Sequence, residues 1–149
     1  MDLFFTQHDT NYITNKRIAD IKPGDKNLDI QVILLSLVSR NKLKNESKLS
    51  QFLIADNSGS ILCNFFDEAG ELINEGDIIH LKSCYASIFK SKLVLYCARP
   101  GYGQVVKTGY FFMTFSEQPN MSEFMWMREK DERTGLDVYI QDAGNIQMN

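Results

Sequence analysis

The sequence has few of the residues that break or cross-link a chain. Three prolines and nine glycines in 149 residues exclude collagen-like and low-complexity classes. The three cysteines, Cys63, Cys84 and Cys97, are an odd number at wide spacings with no C-x-x-C pair. Neither a secreted disulfide framework nor a zinc ribbon is expected, and all three read as reduced thiols packed within strands. No apolar run approaches the ~18 residues of a membrane-spanning helix. The opening Met-Asp-Leu-Phe-Phe lacks the basic and long apolar regions of a secretory leader. The expectation is an intracellular, soluble protein that makes no membrane contact. Histidine is scarce: His8 and His80 sit in no metal-ligand or catalytic spacing. Neither G-x-x-x-x-G-K-[ST] nor G-x-S-x-G occurs. The acids between Asp67 and Asp77 read as a solvated helix face and its exit turn. No enzyme, cofactor or metal is expected.

What is present suits one globular domain. Apolar residues make up 44% and charged residues 23%, which excludes a wholly disordered chain. The net charge of -3 argues against nucleic acid on average, but the charge is segregated. Residues 64–81 carry five acids and no Lys or Arg, whereas 78–116 carry Lys82, Lys90, Lys92, Arg99 and Lys107 and no acid. Residues 39–50 add Arg40, Lys42, Lys44 and Lys48 against Glu46 alone. A fold that brings the two basic blocks together can present a basic groove on a weakly acidic protein.

The periodicity predicts an irregular arm over 1–15, a folded domain over 16–124 and a flexible, mixed-charge tail over 125–149. The chain turns at Pro23-Gly24. Strands are predicted over 29–38, 49–55 and 60–66, the last two joined by the tight turn Asp56-Asn-Ser-Gly59. A short helix over 67–73 has acids in its first turn. Further strands are predicted over 78–89 and 93–98, and an extended, kinked segment over 105–115. Phe124, Trp126 and Met127 form a small apolar knot. The order β-β-β-α-β-β is that of an all-β OB fold, a five-stranded, partly open Greek-key barrel. Such barrels bind through the face of strands two and three and through two loops. Here those loops are the basic stretch 39–48 and the Lys90-Ser-Lys92 turn.

Alternation along 84–89 puts Cys84, Ala86 and Ile88 on one face and Tyr85, Ser87 and Phe89 on the other. The small apolar set suits the core, so the aromatics face outward among Lys82, Lys90 and Lys92. Tyr96 alternates with Leu95 and Cys97. Phe65 and Phe66 divide between core and surface, and which is which depends on strand register. Exposed rings among cations suit single-stranded nucleic acid, because bases stack on rings and cations meet phosphates. Stacking does not see the 2′-hydroxyl, so RNA stays open beside DNA. A structural OB protein that holds protein partners also stays open, favoured by the apolar strip 110–115.

Several strings carry a family resemblance: Asp20-Ile-Lys-Pro-Gly-Asp-Lys-Asn-Leu28, Ile54-Ala-Asp-Asn-Ser-Gly-Ser-Ile61, Asp67-Glu-Ala-Gly-Glu-Leu-Ile73, Glu75-Gly-Asp-Ile-Ile79, Tyr85-Ala-Ser-Ile-Phe-Lys90 and Leu93-Val-Leu-Tyr96. Over residues 18–124 the chain resembles the SOSS-B family, the single-stranded DNA-binding proteins of the SOSS complex, a nuclear DNA-damage sensor. The resemblance implies an OB fold, single-stranded DNA binding, and a role in double-strand-break repair, homologous recombination and checkpoint signalling. It also implies assembly with a scaffold related to the third Integrator subunit and with a small third SOSS subunit. On motif position, the family's base-stacking aromatics fall on Phe66, Tyr85, Phe89 and Tyr96. Phe66 stands where the family commonly has Trp, which implies weaker stacking. The segment 109–117 resembles the family's scaffold-contacting segment and puts Tyr110, Phe111 and Phe112 at that contact, with Tyr110 in place of an acid. Where the family often carries a long Gly/Pro/Ser-rich tail, this sequence has about two dozen mixed-charge residues. The expected nucleic-acid site is therefore Phe66, Tyr85, Phe89 and Tyr96 with Arg40, Lys42, Lys44, Lys82, Lys90, Lys92 and Arg99.

Overall fold

A computed structural model describes residues 6–7, 14–99, 103–110 and 112–142. The expectations for most of the arm over 1–15, for His8 and Phe111, and for the end of the tail over 143–149 lie outside the described residues. The strands are β1 (Thr6–Gln7), β2 (Leu28–Lys42), β3 (Lys48–Asp56), β4 (Gly59–Phe66), β5 (Ile78–Phe89), β6 (Lys92–Cys97), β7 (Gln104–Thr108), β8 (Met125–Lys130) and β9 (Asp137–Asp142). A 3-10 turn spans Ile18–Asp20, and the helix α1 spans Glu68–Glu71.

Five strands close into a ring. β2 pairs antiparallel with both β3 and β5, β3 pairs with β4, β4 runs parallel to β6, and β6 returns antiparallel to β5. This is the OB barrel expected from the element order. β2 serves two neighbours because it bends. Its ladder slips between Leu34 and Ser36, between Leu37 and Ser39, and between Leu28 and Ile30, and each bulge adds curvature. Leu28, Ile30, Val32 and Leu34 point inward in strict alternation, which puts the core inside the ring. Phe52 and Phe65 meet edge to face in that core at 5.8 Å, a favoured aromatic geometry.

α1 covers one end of the barrel with Ala69 buried, and Ile73 is buried just beyond it. Gly70 lets it sit close: a Cβ there would lie 2.6 Å from the Ser50 hydroxyl and 3.0 Å from the Phe65 carbonyl. The 3-10 turn is held by Asp56, whose carboxylate accepts from the Ile18 N–H (3.0 Å) and from the Ser58 N–H and hydroxyl.

The structure corrects four expectations. β2 and β3 run on through half of the expected 39–48 loop, which shrinks to residues 43–47; cross-strand pairing carries Arg40 against Ser50 and Lys42 against Lys48. Cys84 and Cys97 are not separate thiols but a disulfide, and only Cys63, which is buried, is free. The Tyr85–Tyr96 register sets the two cysteines opposite each other with Cα atoms 4.8 Å apart, a juxtaposition that the sequence spacing hides. The expected tail instead begins as the hairpin β8–β9, paired from Met125–Asp142 to Lys130–Asp137. Finally, the apolar knot is divided: Trp126 joins the core, Phe124 packs against it, and Met127 is exposed.

Residues 116–126 strap the barrel. The Ser116 N–H donates to the Asp56 carbonyl, Ser60 N–H to the Pro119 carbonyl, and Met121 N–H to the Ser60 carbonyl. The Ser122 hydroxyl accepts from the Leu62 N–H of β4 (2.8 Å) and donates to the Leu93 carbonyl of β6 (2.6 Å). Both strands of the parallel seam are thereby tied to one side chain.

Candidate nucleic-acid interface

The parity of β2, β3, β4 and β6 puts one set of side chains on the outer face of the ring. The register aligns Ser39 with Gln51, Gln51 with Asn64 and Asn64 with Tyr96. It also aligns Asn41 with Leu49, and Leu49 with Phe66. Tyr96 in turn faces Tyr85 across the β5–β6 pair. These residues floor a groove of about 690 Å³, walled by the 43–47 loop on one side and by Phe89 and Arg99 on the other.

Three rings form a ladder across β4, β6 and β5. Tyr85 and Tyr96 stack with centroids 5.2 Å apart and planes 10° from parallel, and Phe66 stacks on Tyr96 at 6.3 Å. Tyr96 is therefore the inner rung, covered on both sides. Burial and the neighbouring Tyr85 hold its phenol above the ordinary tyrosine range, partly offset by a hydrogen bond with Asn64. The Asn64 amide is itself fixed, its oxygen accepting from Gln51 Nε2 at 3.0 Å. The Arg99 guanidinium donates to the Tyr85 hydroxyl at 3.1 Å, which sets a cation beside the outermost ring. At the far end of β5, Phe89 is 55% exposed, and Lys90 Nζ lies 5.3 Å over its ring.

The expected site residues separate into two groups. Phe66, Tyr85, Phe89, Tyr96 and Arg99 line one groove. Lys44 sits in the loop that walls it, and Lys90 and Lys92 flank Phe89. Lys82 lies half-buried on β5, opposite Gln104. Arg40 departs: it alternates to the opposite face of β2, where Nε donates to the Ser50 hydroxyl (3.2 Å) and Nη2 to the Gly70 carbonyl (3.0 Å). It holds α1 against β3. Lys42 shares that parity and pairs with Glu46 at 3.5 Å. Of the apolar strip, Tyr110, Phe112 and Phe115 are exposed, with Phe112 at 81%.

The polar floor of Ser39, Asn41, Gln51 and Asn64 was not among the expected site residues. Extending the alternation of β3 and β4 back through Phe66 would have found Gln51 and Asn64. Ser39 and Asn41 needed the true length of β2.

No family model matches the sequence. Among solved structures the chain is similar to a hypothetical protein from Arabidopsis thaliana, at 20% identity and a TM-score of 0.59, over 78% of this chain and 86% of that one. It is similar to a replication factor A related protein from Methanobacterium thermoautotrophicum, at 19% identity and a TM-score of 0.52, over 62% and 88%. It is also similar to a domain of replication protein A from Methanococcus maripaludis, at 16% identity and a TM-score of 0.51, over 64% and 98%. At these identities the likeness is one of fold, and the fold that these residues build is the OB barrel.

Proposed function

We propose that this chain is a non-catalytic, single-stranded DNA-binding OB domain. The observation that carries the reading is the Phe66–Tyr96–Tyr85 ladder standing in a groove with Arg99 at its outer rung. Rings offer stacking surface to unpaired bases, whose faces a duplex keeps occupied, and the flanking cations meet phosphates. The likeness in fold to replication protein A domains supports a nucleic-acid ligand. The resemblance to the SOSS-B family supports DNA over RNA. It also supports a place in a nuclear DNA-damage sensor acting in double-strand-break repair and checkpoint signalling, with a scaffold related to the third Integrator subunit and a small third subunit.

Fluorescence anisotropy with a labelled poly-dT strand of ~30 nucleotides, longer than the ~4–16 that one OB fold covers, tests this directly. Matched duplex and poly-U serve as competitors at two salt concentrations. The expected result is salt-sensitive binding to the single DNA strand and none to duplex. Equal affinity for poly-U would assign the groove to RNA as well. No binding at low salt would overturn the reading. It would leave the second one, a protein-assembly role, which the exposed Tyr110, Phe112 and Phe115 favour.

A further inference from the structure

The ladder has two ends, and a second cleft opens at one of them. It measures about 360 Å³ and lies between the turn at residues 24–27 and β5, within the ~300–1,000 Å³ of small-ligand sites. Tyr85 and Arg99 line both this cleft and the groove, so the two cavities meet across that pair. We infer that the cleft is a nucleotide subsite continuing the groove, in which a terminal base of the bound strand stacks on Tyr85. The inference rests on the single-strand reading above.

Three observations support it. First, Tyr96 has Tyr85 on one side and Phe66 on the other, so the outer rungs are more open to a further base than the middle one. With one face of Tyr85 taken by Tyr96, the face left for a base is on the cleft side. Second, the cleft has fixed walls. The Gly24 N–H donates to the Ala86 carbonyl at 3.0 Å, and the Ala86 N–H donates to the Asp25 carbonyl at 2.8 Å, so the turn is laced to β5 and Ala86 forms a buried floor. Prior ordering reduces what a ligand loses on binding. Third, the lining suits a nucleotide. Lys26 and Arg99 bring positive charge, and Ser83 and Ser87 bring hydroxyls. The one carboxylate, Asp25, is already engaged: its Oδ2 takes Lys16 Nζ at 2.6 Å and the Lys22 N–H at 2.9 Å.

The test is an anisotropy series on dT strands of ~4 to ~16 nucleotides. It compares the wild-type chain with Lys26→Glu, which reverses the cleft's charge, and Ser87→Leu, which fills the cleft. Both variants are first checked for an unchanged melting midpoint. Short strands that fill only the groove should bind all three proteins within about twofold. On longer strands both variants should lose about tenfold, within the range for one stacked base. For the wild type, an abasic residue at one strand end, but not at the other, should cost a similar factor and reveal the polarity. Wild-type binding with the same length dependence in both variants, or indifference to an abasic residue at either end, would overturn the subsite alone. Failure of the wild type to bind any strand would overturn the single-strand reading and the subsite with it.

Discussion

Arg40 and Arg99 differ in which side of the barrel their guanidinium groups reach. Arg40 is committed to Ser50 and the Gly70 carbonyl. Arg40→Ala should therefore cost about 1 kcal/mol of stability, the scale of a lost hydrogen bond, and leave poly-dT affinity nearly unchanged; urea unfolding and anisotropy on one preparation would check both. Arg99→Ala should do the reverse. It should lower affinity and reduce the magnitude of the salt slope by about 0.7, one phosphate's share. Tyr85→Ala should cost about 1–3 kcal/mol of binding, and an unchanged Kd would remove Tyr85 from the site. The sequence displayed these rings clearly, since alternation alone sent Tyr85 outward and Cys84 inward. It could not display Arg40's partners, because a run of basic residues looks the same whichever face each member occupies.

The elements that were legible are those with one wet and one dry face. β5 was expected over 78–89 and observed there, because Cys84, Ala86 and Ile88 alternate with Tyr85, Ser87 and Phe89. The polar end of β2 lacks that contrast, and only its pairing with β3 extends it to Lys42. β9 is exposed over its first four residues, so it leaves no periodic trace. The β5–β6 turn shows a different tension. Lys90 and Ser91 both have positive φ, 51° and 68°, where Asn-Gly is the favoured pair. A non-glycine residue held in that region costs of order 1 kcal/mol. Ser91→Gly should therefore raise stability by about 0.5 kcal/mol after the added unfolded-state freedom of glycine is offset. The urea midpoint should rise at constant slope, and a fall would mean that the serine side chain braces the turn.

For the whole molecule, net charge and local charge disagree. The chain carries -3 overall, yet the groove is edged by Arg99, Lys44, Lys90 and Lys92, while Glu71 is turned to Lys48 (2.8 Å) and Asp77 to Lys107 (3.4 Å) on other faces. Four phosphate contacts would give a slope of log affinity against log salt of about -3, measurable by titrating salt against a fixed dT strand. A slope near zero would mean that stacking alone holds the strand. Strand order was enough to anticipate the barrel, whereas the basic block at 39–50 splits, with Arg40 and Lys42 on the face away from the groove. The seam between β4 and β6 was not legible, because a parallel pair between distant strands leaves no local pattern.

That seam sets a timetable for the nascent chain. Residues leave the ribosome from the N-terminus onward, and a domain folds as a unit. Strands β2 to β6 all emerge before Ser122, which joins Leu62 and Leu93, and before Met121 and Trp126 take their buried places. Until translation passes residue 126 the barrel has all its staves and no hoop.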